Sequence, residues 1–253
     1  RVTILTATSR RSEQKVFTTK YRRWVAKERP FLLEDIYYVD VIPNLFGISC
    51  YPKIGSEIES SIICKMKSVK KSIIIFASRR VTDYPVLYTR KLRYFIQFFL
   101  NPPKIYDKDN NLQLPTELKK LYFNTQEHQL AALAVLNSSL FFWYFISFSD
   151  ARNVNTLQIK NFPVNFDTMS KSVIKELVEL GVEMVENLEA NSRFITQKDK
   201  RIQSFQPRFS KVVVDKIDRV LAQHYEFSPE ETDFIINHDV KYRMGLTDVK
   251  EEE

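Results

Sequence analysis

Cationic and aromatic side chains alternate in three clusters within the first hundred residues of this 253-residue chain. Arginine can donate two hydrogen bonds to guanine O6 and N7, whereas lysine and tyrosine suit phosphate oxygens. The clusters therefore predict contacts with a nucleic acid, although a solvated basic surface can have the same composition. Their members are Arg10, Arg11, Lys20, Tyr21, Arg22 and Arg23 in the first, Arg79 and Arg80 in the second, and Arg90, Lys91, Arg93 and Tyr94 in the third.

A fourth group of candidates lies in the polar segment 150–155 and consists of Arg152, Asn153 and Asn155. Asparagine can pair bidentately with adenine, but it also caps helices and forms turns. We count all three side chains as candidate DNA contacts. For the two asparagines, the interpretation as a cap or a turn is the favoured one.

Catalytic chemistry has little support. The histidines His128, His224 and His238 lie far apart and have no Cys or His at ligand spacing, which argues against a metal site. The four glycines are never closer than eight residues, so the chain lacks a glycine-rich nucleotide loop. The segment 101–104, Asn-Pro-Pro-Lys, resembles the Asn-Pro-Pro-aromatic motif of amino-methyltransferases, but a lysine stands in place of the stacking ring. We therefore expect no catalytic residue, cofactor or metal on this chain.

Charge divides the chain into two parts. Residues 1–165 contain 25 Lys and Arg against 13 Asp and Glu, a net charge of +12. Residues 166–253 contain 13 against 18, a net charge of −5. A basic part steers a protein toward polyanions, whereas an acidic part is unfavourable near phosphate. We predict a DNA target-recognition domain over 1–165 and a helical spacer or docking region over 166–253.

The elements that must position these residues indicate an α+β fold. Ser56 and Glu59 have the spacing of a capping box, which predicts a helix from there to about Val69. A second helix over 126–137 leads into the apolar run 138–145, which we expect to be buried. One helical turn is predicted over 156–161 and a polar hairpin tip near 107–111. Strands are predicted over 2–8, 36–42, 72–77, 85–89 and 93–100.

The acidic part is predicted to be almost entirely helical. Residues Ile174, Leu177, Gly181, Met184 and Leu188 follow a heptad pattern, in which the glycine allows another segment to approach closely. A further helix is expected over 211–225, and Ser-Pro-Glu-Glu at 228–231 is a strong helix start.

The run Asn-Ser-Ser-Leu-Phe-Phe-Trp-Tyr-Phe at 137–145, followed by Asp150, Arg152, Asn153 and Asn155, resembles the central signature of the TaqI-like specificity domain. Segments 17–24, 52–58, 93–95 and 234–245 are similar to other parts of that domain. Ala151 stands where members of the family often carry glycine. The domain occurs in type IIG restriction-modification enzymes and related adenine-specific DNA methyltransferases.

The resemblance implies a mixed-sheet target-recognition domain similar to half of a type I specificity subunit. It implies double-stranded DNA and the methyltransferase domain of the same polypeptide as partners. S-adenosylmethionine would be bound by that catalytic domain, which a nuclease precedes in some relatives. The chain starts at Arg1 without Met, so we expect a piece of a longer protein. Three alternatives stay open: a methyltransferase in its own right, a protein-interaction module with a basic face, and RNA binding.

The cellular location is predicted to be the bacterial cytoplasm. The chain shows no signal peptide, and its longest apolar run, 140–148, is too short to span a bilayer, so we expect no membrane partner. Cys50 and Cys64 are expected to be buried thiols in a reducing compartment rather than a disulfide.

Overall fold

A computed structural model of the chain describes residues 15–34, 36–92 and 95–244. The predicted strand over 2–8 and the candidate residues Arg10, Arg11, Arg93 and Tyr94 lie outside these ranges. The fold class is mixed α+β with several antiparallel sheets, as predicted.

Eight helices are described, and those predicted from caps and apolar spacing all form. They are α1 (Glu57–Ser68), α2 (Gln126–Asn137), α3 (Ser139–Phe148), α4 (Thr156–Asn161), α5 (Lys171–Ala190), α6 (Lys211–Tyr225), α7 (Pro229–Ile236) and α8 (Val240–Arg243). The starts of α1 and α7 are capped as expected, because Ser56 Oγ and Ser228 Oγ each accept from the backbone N–H three residues on.

Ten short strands are described. They are β1 (Phe17–Thr18), β2 (Val39–Asp40), β3 (Ala77–Ser78), β4 (Tyr84–Thr89), β5 (Phe98–Phe99), β6 (Ile105–Tyr106), β7 (Leu112–Gln113), β8 (Leu118–Phe123), β9 (Ser192–Gln197) and β10 (Lys200–Phe205). One four-stranded sheet has the order β3-β8-β4-β5, a second has the order β7-β6-β10-β9, and β1 pairs with β2. All described pairs are antiparallel.

The core is built around α2 and α3, and every residue of α3 is buried, as expected from its apolar sequence. Burial of each large apolar side chain stabilises the fold by about 1.5–3 kcal/mol. Asn137, at the junction of the two helices, donates to Phe98 O and accepts from Phe98 N, so it fixes β5 against the core. Gly181 lets α5 approach α2, because a Cβ there would lie 2.4 Å from Leu130 O.

Two buried carboxylates hold α3 at different points. Glu59 accepts from Trp143 Nε1 at 3.0 Å and from Gly55 N at 2.8 Å. Asp218 on α6 accepts from the backbone N–H groups of Ser139 and Leu140, at the positive end of the helix dipole. Each carboxylate therefore satisfies donors that would otherwise be buried without a partner.

The structure corrects several predictions of secondary structure. The segment 72–77 is not a strand but a 3₁₀ turn at Ile73–Ile75 that leads into β3. The predicted strand over 93–100 is limited to β5 among the described residues. The acidic part is not almost entirely helical, because it contains the β9–β10 hairpin. The predicted hairpin tip is confirmed: Asp107 Oδ1 accepts from the backbone of Asp109 and Asn111.

The basic and acidic parts share structure. Strand β10 pairs with β6 across the predicted boundary at residue 165, and one hydrophobic core contains residues of both parts. The division at 165 as a functional boundary stays a prediction.

In the described ranges, no single helix is long and apolar enough to cross a membrane, and the pair α2 and α3, which reaches that length together, is bent by 66°. Both cysteines are free, and the prediction that both are buried is wrong, since Cys64 is exposed.

Candidate nucleic-acid interface

The segment that follows α3 forms a tight, strained turn. Asp150 Oδ1 accepts from the backbone N–H groups of Arg152 and Asn153 at 2.9 and 3.2 Å. Ala151 between them has φ 50°, a left-handed conformation that favours glycine and costs other residues about 1–2 kcal/mol. The turn leaves Arg152 exposed and Asn153 half-buried at the surface.

This turn pairs with the end of β4. Lys91 and Asn153 form an antiparallel β-bridge. Val154 N donates to Arg90 O at 2.7 Å, and Leu92 N donates to Arg152 O at 3.2 Å. The bridge uses backbone atoms, so the side chains stay available for a ligand. It thus joins the third basic cluster to the 150–155 candidates, which are about sixty residues apart in sequence.

Two further cations lie on β8 beside this bridge, one on each face of the sheet, because successive side chains of a strand point to opposite faces. Lys119 lies opposite Tyr88 and Lys120 lies opposite Leu87, in the half of β8 that pairs with the end of β4. Both lysines are exposed. Sequence reasoning misses them because 118–123 has no strand pattern, and nothing local links it to β4. We call Arg90, Lys91, Lys119, Lys120, Arg152, Asn153 and Asn155 together the bridge site.

The bridge site carries excess positive charge. Its five cations are accompanied locally by the carboxylates of Asp150 and Glu117. Glu117 lies 4.0 Å from Lys91 Nζ, and both side chains are more than three-quarters exposed, so this pair contributes little. Clustered cations that outnumber nearby carboxylates repel one another, and a polyanion would relieve that repulsion.

Neither asparagine carboxamide is committed to the fold. Asn155 occupies the N-cap position of α4 but makes no side-chain capping hydrogen bond. Asn153 contributes backbone atoms to the bridge, and within the described residues its side chain has no hydrogen-bond partner. The capping interpretation of Asn155 is therefore wrong for its side chain. Both carboxamides keep a donor and an acceptor available, as bidentate pairing with adenine requires.

The C-terminal end of α3, which immediately precedes the turn, is held in place by three side chains. Lys53 Nζ donates to Ser149 O, and Gln158 Nε2 donates to Phe148 O at 3.1 Å. Cys50 Sγ donates to the same Phe148 carbonyl, and burial raises the pKa of this thiol against the opposing effect of Lys53, so it keeps its proton at neutral pH. The ammonium group of Lys53 is favourable here, because the C-terminal end of the helix dipole is negative. These contacts hold the turn on the rigid core, so that the exposed side chains project from a fixed base.

Arg79 and Arg80 are exposed and follow β3, whose Ser78 lies opposite Tyr122 on β8. The chain therefore leaves this sheet beside Tyr122, which is two positions along β8 from Lys120. The structure thus places the second predicted cluster on the sheet that carries the bridge site.

The first cluster is engaged with the C-terminal end of the described chain. Arg23 Nε lies 3.1 Å from Asp239 Oδ2, and its guanidinium lies 5.6 Å from the centre of the Tyr21 ring. Arg22 Nη1 donates to Leu32 O at 2.7 Å. Lys20 is exposed, and its backbone passes close to Gly55. Arg22, Arg23 and Tyr21 therefore have structural contacts, and their predicted role at DNA stays a prediction.

Within the described ranges, no group of three or more His, Cys, Asp or Glu residues could hold a metal ion. Comparison of the chain with protein-family models, curated proteins and solved structures finds no match.

Proposed function

We propose that the chain is a sequence-specific recognition module for duplex DNA and that the bridge site is its contact surface. The backbone bridge between Lys91 and Asn153 carries the proposal, because it joins the segment of Arg90 and Lys91 to the segment of Arg152 and of two uncommitted carboxamides, about sixty residues away in sequence. Such a combination matches the division of labour in DNA recognition, in which cations fix the register and a few side chains read base edges.

Each group in the bridge site has a distinct task under this proposal. Lys119 and Lys120, as exposed point charges on a strand, suit phosphate oxygens. Arg90 and Arg152 can bind phosphate or donate two hydrogen bonds to guanine. Asn153 and Asn155 can each accept a hydrogen bond from, and donate one to, an adenine. The rigid turn matters because side chains on a fixed base lose less conformational entropy when they bind.

The resemblance to the TaqI-like specificity domain extends the proposal. We propose that the α+β fold corresponds to half of a type I specificity subunit and directs an adenine-specific methyltransferase domain of the same polypeptide in a bacterial restriction-modification system. That domain would bind S-adenosylmethionine and carry out the methyl transfer, and the present chain would supply no catalytic group.

The first test is selection of duplexes from a randomised library on the immobilised chain, followed by fluorescence anisotropy at several salt concentrations. We expect one enriched sequence, bound at least about a thousandfold more tightly than a shuffled duplex. Equal binding of every duplex would refute sequence recognition. Equal binding of an RNA duplex would favour the RNA alternative, and full competition by polyglutamate would favour an interaction module with acidic proteins.

Variants then assign the roles. Asn153→Ala and Asn155→Ala should reduce discrimination at an adenine by about 1–3 kcal/mol for each bidentate pair that is removed. Lys119→Ala with Lys120→Ala should weaken all sequences alike and reduce the salt slope by about 0.9 for each phosphate interaction that is removed. Lys175→Ala is the matched control, since Lys175 is an exposed cation on α5. If the control weakens binding as much as the bridge-site variants, the assignment of the surface is wrong.

A further inference from the structure

The β9–β10 hairpin is a basic surface inside the acidic part of the chain. Its residues 192–205 contain four Lys and Arg and one acidic residue, Asp199. All residues from Arg193 to Arg201 are exposed. We call this element, with its cations Arg193, Lys198, Lys200 and Arg201, the basic hairpin.

The cations of the basic hairpin differ from the neighbouring ones in their ion pairing. In the part of the chain that the structure describes, none of the four lies within 4.0 Å of a carboxylate oxygen. On the neighbouring α6, by contrast, Lys211 pairs with Asp215 and Lys216 pairs with Glu183. The hairpin thus keeps its positive charge, whereas these two lysines of α6 are neutralised by carboxylates.

Arg201 is held in a fixed orientation at the surface. Its guanidinium carbon lies 4.9 Å from the centre of the Tyr106 ring and 5.0 Å from that of Phe194. Arg201 Nη2 also lies 3.3 Å from Asn110 Oδ1. Contacts with two rings restrict the side chain before any ligand binds, so less entropy is lost on binding. A planar guanidinium fixed in this way suits a phosphate group.

The tip of the hairpin places a lysine where the backbone favours glycine or asparagine. Lys198 has φ 54°. A left-handed lysine costs about 1–2 kcal/mol relative to a relaxed turn. The strain thus accompanies a cation at the exposed tip of the hairpin, and strain of this kind concentrates at functional sites.

The basic hairpin lies within reach of the bridge site. Strand β10 pairs with β6, and β6 pairs with β7, which ends at Gln113. Glu117 follows Gln113 by four positions in the chain, so their Cα atoms are at most about 14 Å apart. Glu117 in turn lies beside Lys91 of the bridge site. Two helical turns of duplex DNA are about 68 Å long, which exceeds the summed upper bound of these steps.

We propose that the basic hairpin binds the sugar-phosphate backbone of duplex DNA beside the bases read by the bridge site. This inference rests on the proposed function, since it assigns a second contact on the same duplex. The local surplus of positive charge and the fixed Arg201 support a phosphate ligand. The hairpin then sets affinity and register, and sequence preference stays with the bridge site.

The test measures the binding of two proteins to a long duplex centred on the selected sequence. One is the double variant with Lys198→Ala and Lys200→Ala, and the other is the full wild-type chain. We expect roughly fiftyfold weaker binding near 0.1 M salt and a salt slope shallower by about 1.8, because two phosphate interactions are removed. The ratio of selected to shuffled duplex should not change. On a duplex trimmed to the selected bases, the double variant and the wild type should bind alike. Lys216→Ala is the matched control, as an exposed cation of the same part.

Arg201 is tested separately by two substitutions. Arg201→Lys keeps the charge but loses the planar stacking, so it should weaken binding less than Arg201→Ala and leave the salt slope near the wild-type value. Circular dichroism and the urea midpoint of each variant show whether the fold is intact.

The outcomes separate this inference from the proposed function. If the hairpin variants bind like the wild type while Arg152→Ala weakens binding, the hairpin contact is refuted and the bridge site stands. A changed ratio of selected to shuffled duplex in the double variant would show that the hairpin reads bases, which also overturns a backbone-only role. If the wild type binds no duplex DNA, both proposals fail.

Discussion

Two titratable groups near the N-terminal end of α3, the buried Asp218 and the half-buried His238, should give opposite pH dependences to the stability. Burial raises the pKa of Asp218 from 3.8 to about 6, against the opposing effects of hydrogen bonds from Ser139 and Leu140 and of the nearby Arg243. Burial lowers the pKa of His238 from 6.5 to about 4, opposed by Asp239. The first group favours the folded state at low pH, and the second favours it at neutral pH.

The magnitudes follow from the shifts. Between pH 4 and 6 the Asp218 carboxyl ionises in the unfolded chain before it does so in the folded one. Raising the pH through this window therefore lowers the free energy of unfolding by about 3 kcal/mol. Between pH 6.5 and 4 the His238 imidazole gains a proton only in the unfolded chain, so lowering the pH destabilises the fold. His238 as a whole is half-buried, so we take about 2 kcal/mol for its effect after allowing for partial solvent screening.

In the wild type the two effects largely cancel, and single substitutions should expose each one. Asp218→Asn keeps the shape but loses an acceptor, which costs about 1–3 kcal/mol at every pH. In addition to this constant cost, the free energy of unfolding of the variant should fall below that of the wild type by about 3 kcal/mol more at pH 4 than at pH 7. The reason is that only the wild type gains stability through this carboxyl on acidification. His238→Phe keeps a ring beside Phe142 and should gain about 2 kcal/mol relative to the wild type over the same acidification.

Urea unfolding followed by tryptophan fluorescence between pH 4 and 7.5 measures both curves, because Trp143 is fully buried. In the double variant both effects are absent, so its change in stability over this range should follow that of the wild type to within about 1 kcal/mol. A constant difference between Asp218→Asn and the wild type across this range would refute the raised pKa and its linkage to folding.

Two further predictions concern the support of the core. Gly181→Ala should destabilise the fold by about 2 kcal/mol net, because the clash with Leu130 O outweighs the higher helix propensity of alanine; the neighbouring Val182→Ala, at an exposed position, is the control in the same urea titration. Glu59→Ala should cost about 3 kcal/mol by leaving buried N–H groups unpaired, and the Trp143 emission should shift as its Nε1–H loses its acceptor; an unchanged spectrum and midpoint would contradict the role of this carboxylate.

The helices can be predicted from the sequence because their signals are local. Ser56 and Ser228 cap the next turn, and the apolar spacing of α5 and α6 defines the buried face within each segment. Gly181 is also interpretable, since a glycine in an apolar seam has few other uses. The strands are less predictable, because two-residue strands such as β3 and β5 exist only through their partners.

Two longer strands escape prediction for a physical reason. In β8 the first half carries Lys119 and Lys120 in succession, and both are exposed, so this half shows no alternation of buried and exposed residues. In β9 nearly every residue is exposed, so again no apolar period appears, and the tip lacks the glycine that usually marks a hairpin. Alternation reports burial on one face, and a strand without such a face does not show it.

The candidate site can be predicted in pieces but not as an assembly. Arg90, Lys91, Arg152 and Asn153 belong to separate clusters in the sequence, and the bridge that joins them depends on the tertiary fold. The fate of Asn155 likewise requires the structure, since its N-cap position in the sequence does not reveal that the carboxamide makes no capping bond.

Net charge summed along the chain is a poor guide to where a polyanion binds. Without residues 192–205, the acidic part has 9 cations against 17 carboxylates, so the basic hairpin is concealed in a negative total. The pairing of β10 with β6 then attaches this hairpin to the basic part. What a phosphate meets is the local surplus of cations over carboxylates, since charges beyond about 8 Å are largely screened at physiological salt. The bridge site and the basic hairpin both have a local surplus of positive charge, although one lies in the basic part of the sequence and the other in the acidic part.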